Sequence, residues 1–312
     1  MKMTCKIKVV FLGLICSILL DVNIADGKSE TSQKNPSSKT LRSMARVYMA
    51  YGEYMKAQPL AEKALALAKT KQVSDSELAM CLIDLATLYT YQGELDKAEE
   101  MCKKGLQIQK KILYKKHPHL AYTLRILSAI YYEQGEYSKS KSVLDDAFVI
   151  MTDNPVVDDE AMAPFSVDMA RVLVAQGNLE QAESYYQKAM LSIDACYGPN
   201  HLYTANVLAG MAKLYTLQKR YAEAEELINR AIQVQEKIYG PDYHLIAASW
   251  LTKARICQEK GELIQAQNLV NKSLSAIEKS GNPTAFTKLQ QEAKDILAGK
   301  HVVYGPVAQA VK

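Results

Sequence analysis

The sequence has little excess charge of either sign. Lys and Arg total 38 against 34 Asp and Glu, a net +4 over 312 residues. Nucleic-acid-binding domains carry a concentrated basic excess, so that class is set aside. Glycine (14) and proline (9) are scarce, which excludes a loop-dominated or collagen-like chain. There is one Trp and only four Phe, against 19 Tyr. Tyrosine fills an apolar gap while its hydroxyl reaches water or a carbonyl, so it suits many shallow helix–helix seams. No alternating strand pattern occurs. Nor does any His-Glu-x-x-His, G-x-S-x-G, C-x-x-C or glycine-rich phosphate loop. The histidines are His117, His119, His201, His244 and His301. His117 and His201 share one register before a first helix, where a capping role is expected. No Cys or carboxylate joins His117-x-His119 at metal-site spacing. Neither an enzyme nor a cofactor, metal or small-molecule substrate is expected.

No apolar run reaches the ~20 residues of a membrane span. The N-terminus is a shorter pattern: Lys2, Lys6 and Lys8, an apolar stretch over residues 9–20, then Ala25-Asp26-Gly27. This is the layout of a signal peptide over 1–27, with a mature chain beginning at Lys28 in a secreted or periplasmic space. The alternative is an uncleaved segment that anchors the chain to a membrane. Export permits disulfides. Yet Cys81, Cys102, Cys196 and Cys257 all fall inside predicted helices, where a small buried thiol fits. Cys81 and Cys102, on paired helices, are the best placed to bridge.

What is abundant is self-similarity. Gly52, Gly93, Gly135, Gly177, Lys219 and Gly261 step by 41, 42, 42, 42 and 42 residues. Five residues after this position come Ala57, Ala98, Ser140, Ala182, Ala224 and Ala266. Seven before it come Ala45, Ala86, Ser128, Ala170, Ala212 and Ala254. Small residues at fixed places let two helices approach closely. Glycine tolerates the positive φ needed where the first helix stops and the chain reverses. Lys219 at that place implies local strain or a different turn.

Between units, Gly198-Pro199, Gly240-Pro241 and Gly281-Asn282-Pro283 end helices. The pattern predicts helix pairs over 38–51/54–70, 76–92/95–113, 119–134/137–151, 160–176/179–196, 201–218/221–238 and 243–260/263–279. The fold class is therefore all-α: an α-solenoid of six helix-turn-helix repeats over 38–283, forming a right-handed superhelix. A capping helix is expected over 284–298, burying Phe286, Leu289, Ala293, Ile296 and Leu297. A leader (28–37) and a tail (299–312) complete the chain.

These residues resemble the tetratricopeptide repeat in the 42-residue form of kinesin light chains. The likeness rests on the alanine–tyrosine–glycine spacing, on Ala98-Glu99-Glu100 and Ala224-Glu225-Glu226, and on the run Gln235-Glu236-Lys237-Ile238-Tyr239-Gly240-Pro241-Asp242. The resemblance implies a concave groove lined by first helices. In that register lie Arg46, Arg171, Lys213 and Arg255, with Arg42 and Arg125 one turn earlier and Tyr91, Tyr122 and Tyr132 close by. Two readings stay open. The bases form a stripe that binds an extended or acidic segment of a partner protein or peptide, or they pair with acids such as Asp84 and Asp168. The expected function is a non-catalytic scaffold. The alternatives are a self-associating structural protein and an accessory subunit of an envelope enzyme.

Overall fold

The computed structural model describes residues 36–70, 73–154 and 159–300. The expected signal peptide, most of the leader and most of the tail lie outside the described residues. The rest of the chain folds as successive helix pairs. They are α1 (Ser38–Ala50) with α2 (Tyr54–Ala68), α3 (Asp75–Gln92) with α4 (Leu95–Ile112), and α5 (Pro118–Glu133) with α6 (Tyr137–Thr152). Then come α7 (Asp159–Ala175) with α8 (Leu179–Tyr197), α9 (Leu202–Leu217) with α10 (Tyr221–Tyr239), and α11 (Ala247–Glu259) with α12 (Leu263–Lys279). A 3-10 turn, His244–Ile246, precedes α11, and another, Pro283–Phe286, leads into α13 (Thr287–Leu297).

Local chemistry sets the helix ends. Ser37 and Ser74 accept hydrogen bonds from Thr40 N and Glu77 N, as N-caps do. His117 and His201 do the same through Nδ1, accepting from His119 N (3.1 Å) and Tyr203 N (3.2 Å). The turn glycines have positive φ, and Lys219 adopts φ 62°, the same left-handed region. The turn of the fifth unit is therefore the common turn held under strain.

The small-residue register is the closest approach within each pair. Ala45 and Ala57, and likewise Ala86 and Ala98, are wholly buried. In the third unit both positions are serine, and their hydroxyls bond at 2.8 Å. A polar group buried at so tight a contact needs a partner, so the two serines occur together. Twelve residues after the turn the second unit has Gly105, because a Cβ there would lie 2.8 Å from Ile83 Cγ1.

A second recurrent device joins neighbouring units. The residue six places after one turn meets the residue just before the next: Gln58 with Gln92, Glu99 with Gln134, Glu183 with Gln218 and Glu225 with Lys260, at 2.8–3.1 Å. Glu99 and Glu183 also accept from Tyr131 and Tyr215. Lys103, which donates to Glu99 at 2.5 Å, does most to hold that carboxyl below the usual range, and the Gln134 and Tyr131 bonds add to it.

Successive first helices (α1, α3, α5, α7, α9, α11) touch one another as well as their own partners, and so make the inner layer. This layer curves until the first and last units meet. Tyr243 Oη donates to the Tyr51 carbonyl at 2.7 Å. The His244 ring lies against Gly52, where a Cβ would be 2.5 Å from Nε2. Phe286 is buried between the two ends, its ring centroid 6.4 Å from Tyr54 and 5.4 Å from His244. α13 packs on α11 and α12, burying Ala293 and Ile296. Leu297, expected on that face, is instead 49% exposed, because the helix ends there and the chain turns at Gly299. All four cysteines in the described residues are free thiols, so the Cys81–Cys102 bridge is absent. Cys102 donates to the Thr123 carbonyl, and burial pushes its thiol up to about 12.

Candidate partner-binding groove

The first helices of successive units lie side by side, and side chains from four of the units meet around Tyr91. Tyr91, at the end of α3, is 48% exposed. Burial pushes its phenol up, and Arg125, Arg171, Asp168 and Tyr203, from three other units, act on it electrostatically. Tyr91 stacks on Tyr54 with centroids 5.3 Å apart. Further along, Arg171 lies over the Tyr132 ring at 4.7 Å, and Tyr132 meets Tyr137 at 5.5 Å. The floor is thus aromatic, with guanidinium groups set into it. Stacked rings with a fixed cation offer flat apolar contact and a directional donor at little entropic cost.

The basic residues do not form a row of unpaired cations. Arg42 pairs with Glu77 at 2.6 Å and with Asp84 at 2.8 Å, and its side chain is only 11% exposed. Arg125 pairs with Asp168 at 2.8 Å and faces Phe165. Arg171 lies 3.6 Å from Asp168 and 3.7 Å from Glu133. Burial drives the Asp84 carboxyl up to about 6, while Arg46 and Arg42 pull the other way. Lys213 is half-buried.

Arg255, expected on the groove floor, is instead buried beneath the C-terminal cap. Its Nη1 donates to the Lys300 carbonyl and to Gln258 Oε1. The chain that follows α13 folds back over it, which the repeat pattern could not register. Arg46 is the most open of the set, its side chain 60% exposed and 4.0 Å from Asp84. Tyr122 lies against Phe165, at 5.4 Å.

Spacing alone missed Tyr54, His244 and Phe286, which gather at the rim of the groove from opposite ends of the chain. It also missed Glu133, which faces both Arg171 and Lys288. The signal for Tyr54 was present, as the aromatic residue two places after the turn glycine. Among the described residues no three His, Cys, Asp or Glu side chains gather as a metal site requires. No described helix is long and apolar enough to cross a membrane.

The tetratricopeptide repeat profile matches residues 37–111, 78–152, 162–234 and 208–279. Several solved structures share the fold. BtubC (BKLC) from P. vanneervenii is 18% identical, with a TM-score of 0.54, covering 86% of this chain and 95% of that one. A Rap protein complexed with Competence and Sporulation Factor has a TM-score of 0.61 at 12% identity, covering 84% and 76%. The apo form of the quorum sensor NprR from B. thuringiensis has a TM-score of 0.55 at 14% identity, covering 88% and 74%. No curated protein matches the sequence.

Proposed function

The chain belongs to the tetratricopeptide repeat family, and on that footing we propose that it is a non-catalytic scaffold holding a segment of another protein on its inner face. The observation that carries this is the group of Tyr91, Tyr132 and Tyr203 on the first helices of three units, with Arg171 set over the Tyr132 ring. An inner layer of first helices offers an extended segment one continuous surface. The Rap protein of similar fold, solved with Competence and Sporulation Factor, is a precedent for a bound partner. An acidic residue of the partner meets Arg46 and Arg171, the two guanidinium groups on this face with the most open side chains. The contact at Arg46 costs little, since its Asp84 partner is already engaged by Arg42.

Affinity capture tests this. The full chain is used as bait beside a bait carrying Arg46→Glu and Tyr91→Ser, and the captured proteins are identified by mass spectrometry. A partner retained by the first bait and lost from the second is expected. Equal retention by both overturns the inner-face reading.

We propose further that the scaffold works in a secreted or periplasmic space. The support is the basic start, the apolar stretch over 9–20 and the small residues before Lys28. N-terminal sequencing of the exported chain is expected to begin at Lys28. An intact Met1 overturns cleavage and leaves the anchored alternative.

A further inference from the structure

Residues 283–288 reach well beyond what capping the last unit requires. The apolar end of α11 and α12 is closed by Ala293 and Ile296 of α13, in a cluster of their own with Leu251, Ala254, Cys257, Ala266 and Val270. Phe286 is not part of that cluster. It belongs to the main core, 8% exposed, with Tyr54 of the first unit and His244 of the sixth as ring partners. The 3-10 turn that carries it also touches α3 of the second unit. Two residues later Lys288 crosses to the third unit. Its Nζ donates to the Glu133 carboxylate at 2.5 Å and to the Glu133 carbonyl at 2.6 Å. The Lys288 side chain is itself 66% exposed, as a docked surface residue is. Glu133 is the same residue that faces Arg171, and Arg171 covers Tyr132. The segment therefore lies along the rim of the groove, with an aromatic side chain inserted and a cation on a carboxylate.

We infer that this stretch is an intramolecular stand-in for a partner. The rim accepts a segment with an aromatic residue followed, two places on, by a cation, and the chain's own Phe286-Thr287-Lys288 occupies it until such a segment displaces it. The inference rests on the inner-face reading above and names the chemistry of the partner at one end of that face. The geometry gives each element a role. Tyr54 and His244 form an aromatic slot. Glu133 supplies a directional acceptor whose remaining charge Arg171 balances. Because the occupant is tethered, its effective concentration is in the millimolar range, so a free peptide of ordinary affinity is excluded from the intact protein. Weakening the tethered contacts removes that competition without altering the slot.

The test uses a fluorescein-labelled peptide with the sequence of residues 281–291 and full-length protein, read by fluorescence anisotropy. Wild type is expected to show no saturable binding at micromolar protein. Lys288→Ala, a change at an exposed side chain that leaves helicity intact, is expected to bind with up to about fivefold higher affinity. Adding Phe286→Ala is expected to increase the gain. Adding Glu133→Gln to Lys288→Ala, or replacing Phe by Ser in the peptide, is expected to abolish binding. Equal binding by wild type and Lys288→Ala, no binding by either variant, or indifference to the Phe→Ser peptide each overturns the inference. Failure here is separable from failure of the scaffold reading. A protein that captures its partner through Tyr91 yet ignores this peptide overturns only the stand-in. One that binds the peptide once Lys288 is removed but captures no partner overturns only the scaffold.

Discussion

The Tyr243 hydroxyl donates to the backbone carbonyl of Tyr51 across 192 residues of sequence, at 2.7 Å. That bond joins the opening of the sixth unit to the first turn and turns a row of repeats into a closed curve. A repeat array is ordinarily stabilised only by neighbour-to-neighbour contacts. Here Tyr243, His244 and Phe286 add long-range ones. Tyr243→Phe keeps the ring stacked on Tyr239 and removes only the donor. It is expected to cost about 1 kcal/mol in urea unfolding, with the scattering radius of gyration rising as the ends part. An unchanged radius together with unchanged stability would show the seam to be idle.

Glycine substitutions separate local strain from seam packing. Gly93 has φ 78° and nothing within 4 Å of an added Cβ, whereas Gly52 has φ 69° and His244 Nε2 at 2.5 Å. Both changes to alanine carry the left-handed penalty of about 1 kcal/mol. Gly52→Ala is expected to lose more, because the His244 ring must also move. Equal losses would contradict the packing of His244 on that turn.

His244 also makes the seam sensitive to pH. Burial lowers its imidazole below the ordinary 6.5, with Glu53 acting weakly the other way. The unfolded chain therefore binds more protons than the folded one between those values. Stability is full above pH 6.5, falls as pH drops through the depressed value, and levels off below it. Urea midpoints from pH 7.5 to 5 are expected to fall more in wild type than in His244→Phe. Parallel curves would refute the assignment.

Lys219 offers the opposite experiment. Its φ of 62° is one a lysine adopts at a cost and glycine adopts freely. Lys219→Gly is expected to stabilise the protein by about 0.5–1 kcal/mol, read as a raised urea midpoint with an unchanged slope. Loss of stability would mean that the lysine makes a compensating contact.

Much of the fold was legible because each unit repeats its own instructions. The turn position, the paired small residues and the inter-unit glycines set the observed helix ends to within one or two residues, save where the sixth unit and the capping helix expected over 284–298 each open with a 3-10 turn, the latter's α-helix starting only at Thr287. The partners of the charged residues were less legible. Arg42 finds Glu77 35 residues later, and Gln92, Gln134 and Gln218, each just before a turn, find a carboxylate or amide of the preceding unit. These pairings depend on how units stack, which no single unit encodes. The meeting of the ends was not legible at all. Curvature accumulates over every junction, so no local pattern placed Tyr54, Glu133, His244 and Phe286 together. Arg255 lies under the cap for a separate reason, that the chain following α13 folds back over it and is not part of the repeat.

Site-specific photo-crosslinking in the native setting decides whether a partner lies on the inner face. A photoreactive phenylalanine analogue is placed at Tyr91, on the inner face, or at Leu191, 75% exposed on the second helix of its pair. The expected result is a discrete adduct to one protein from position 91, and none from position 191. Adducts from position 191 alone would put the partner on the outer surface and exclude the inner face.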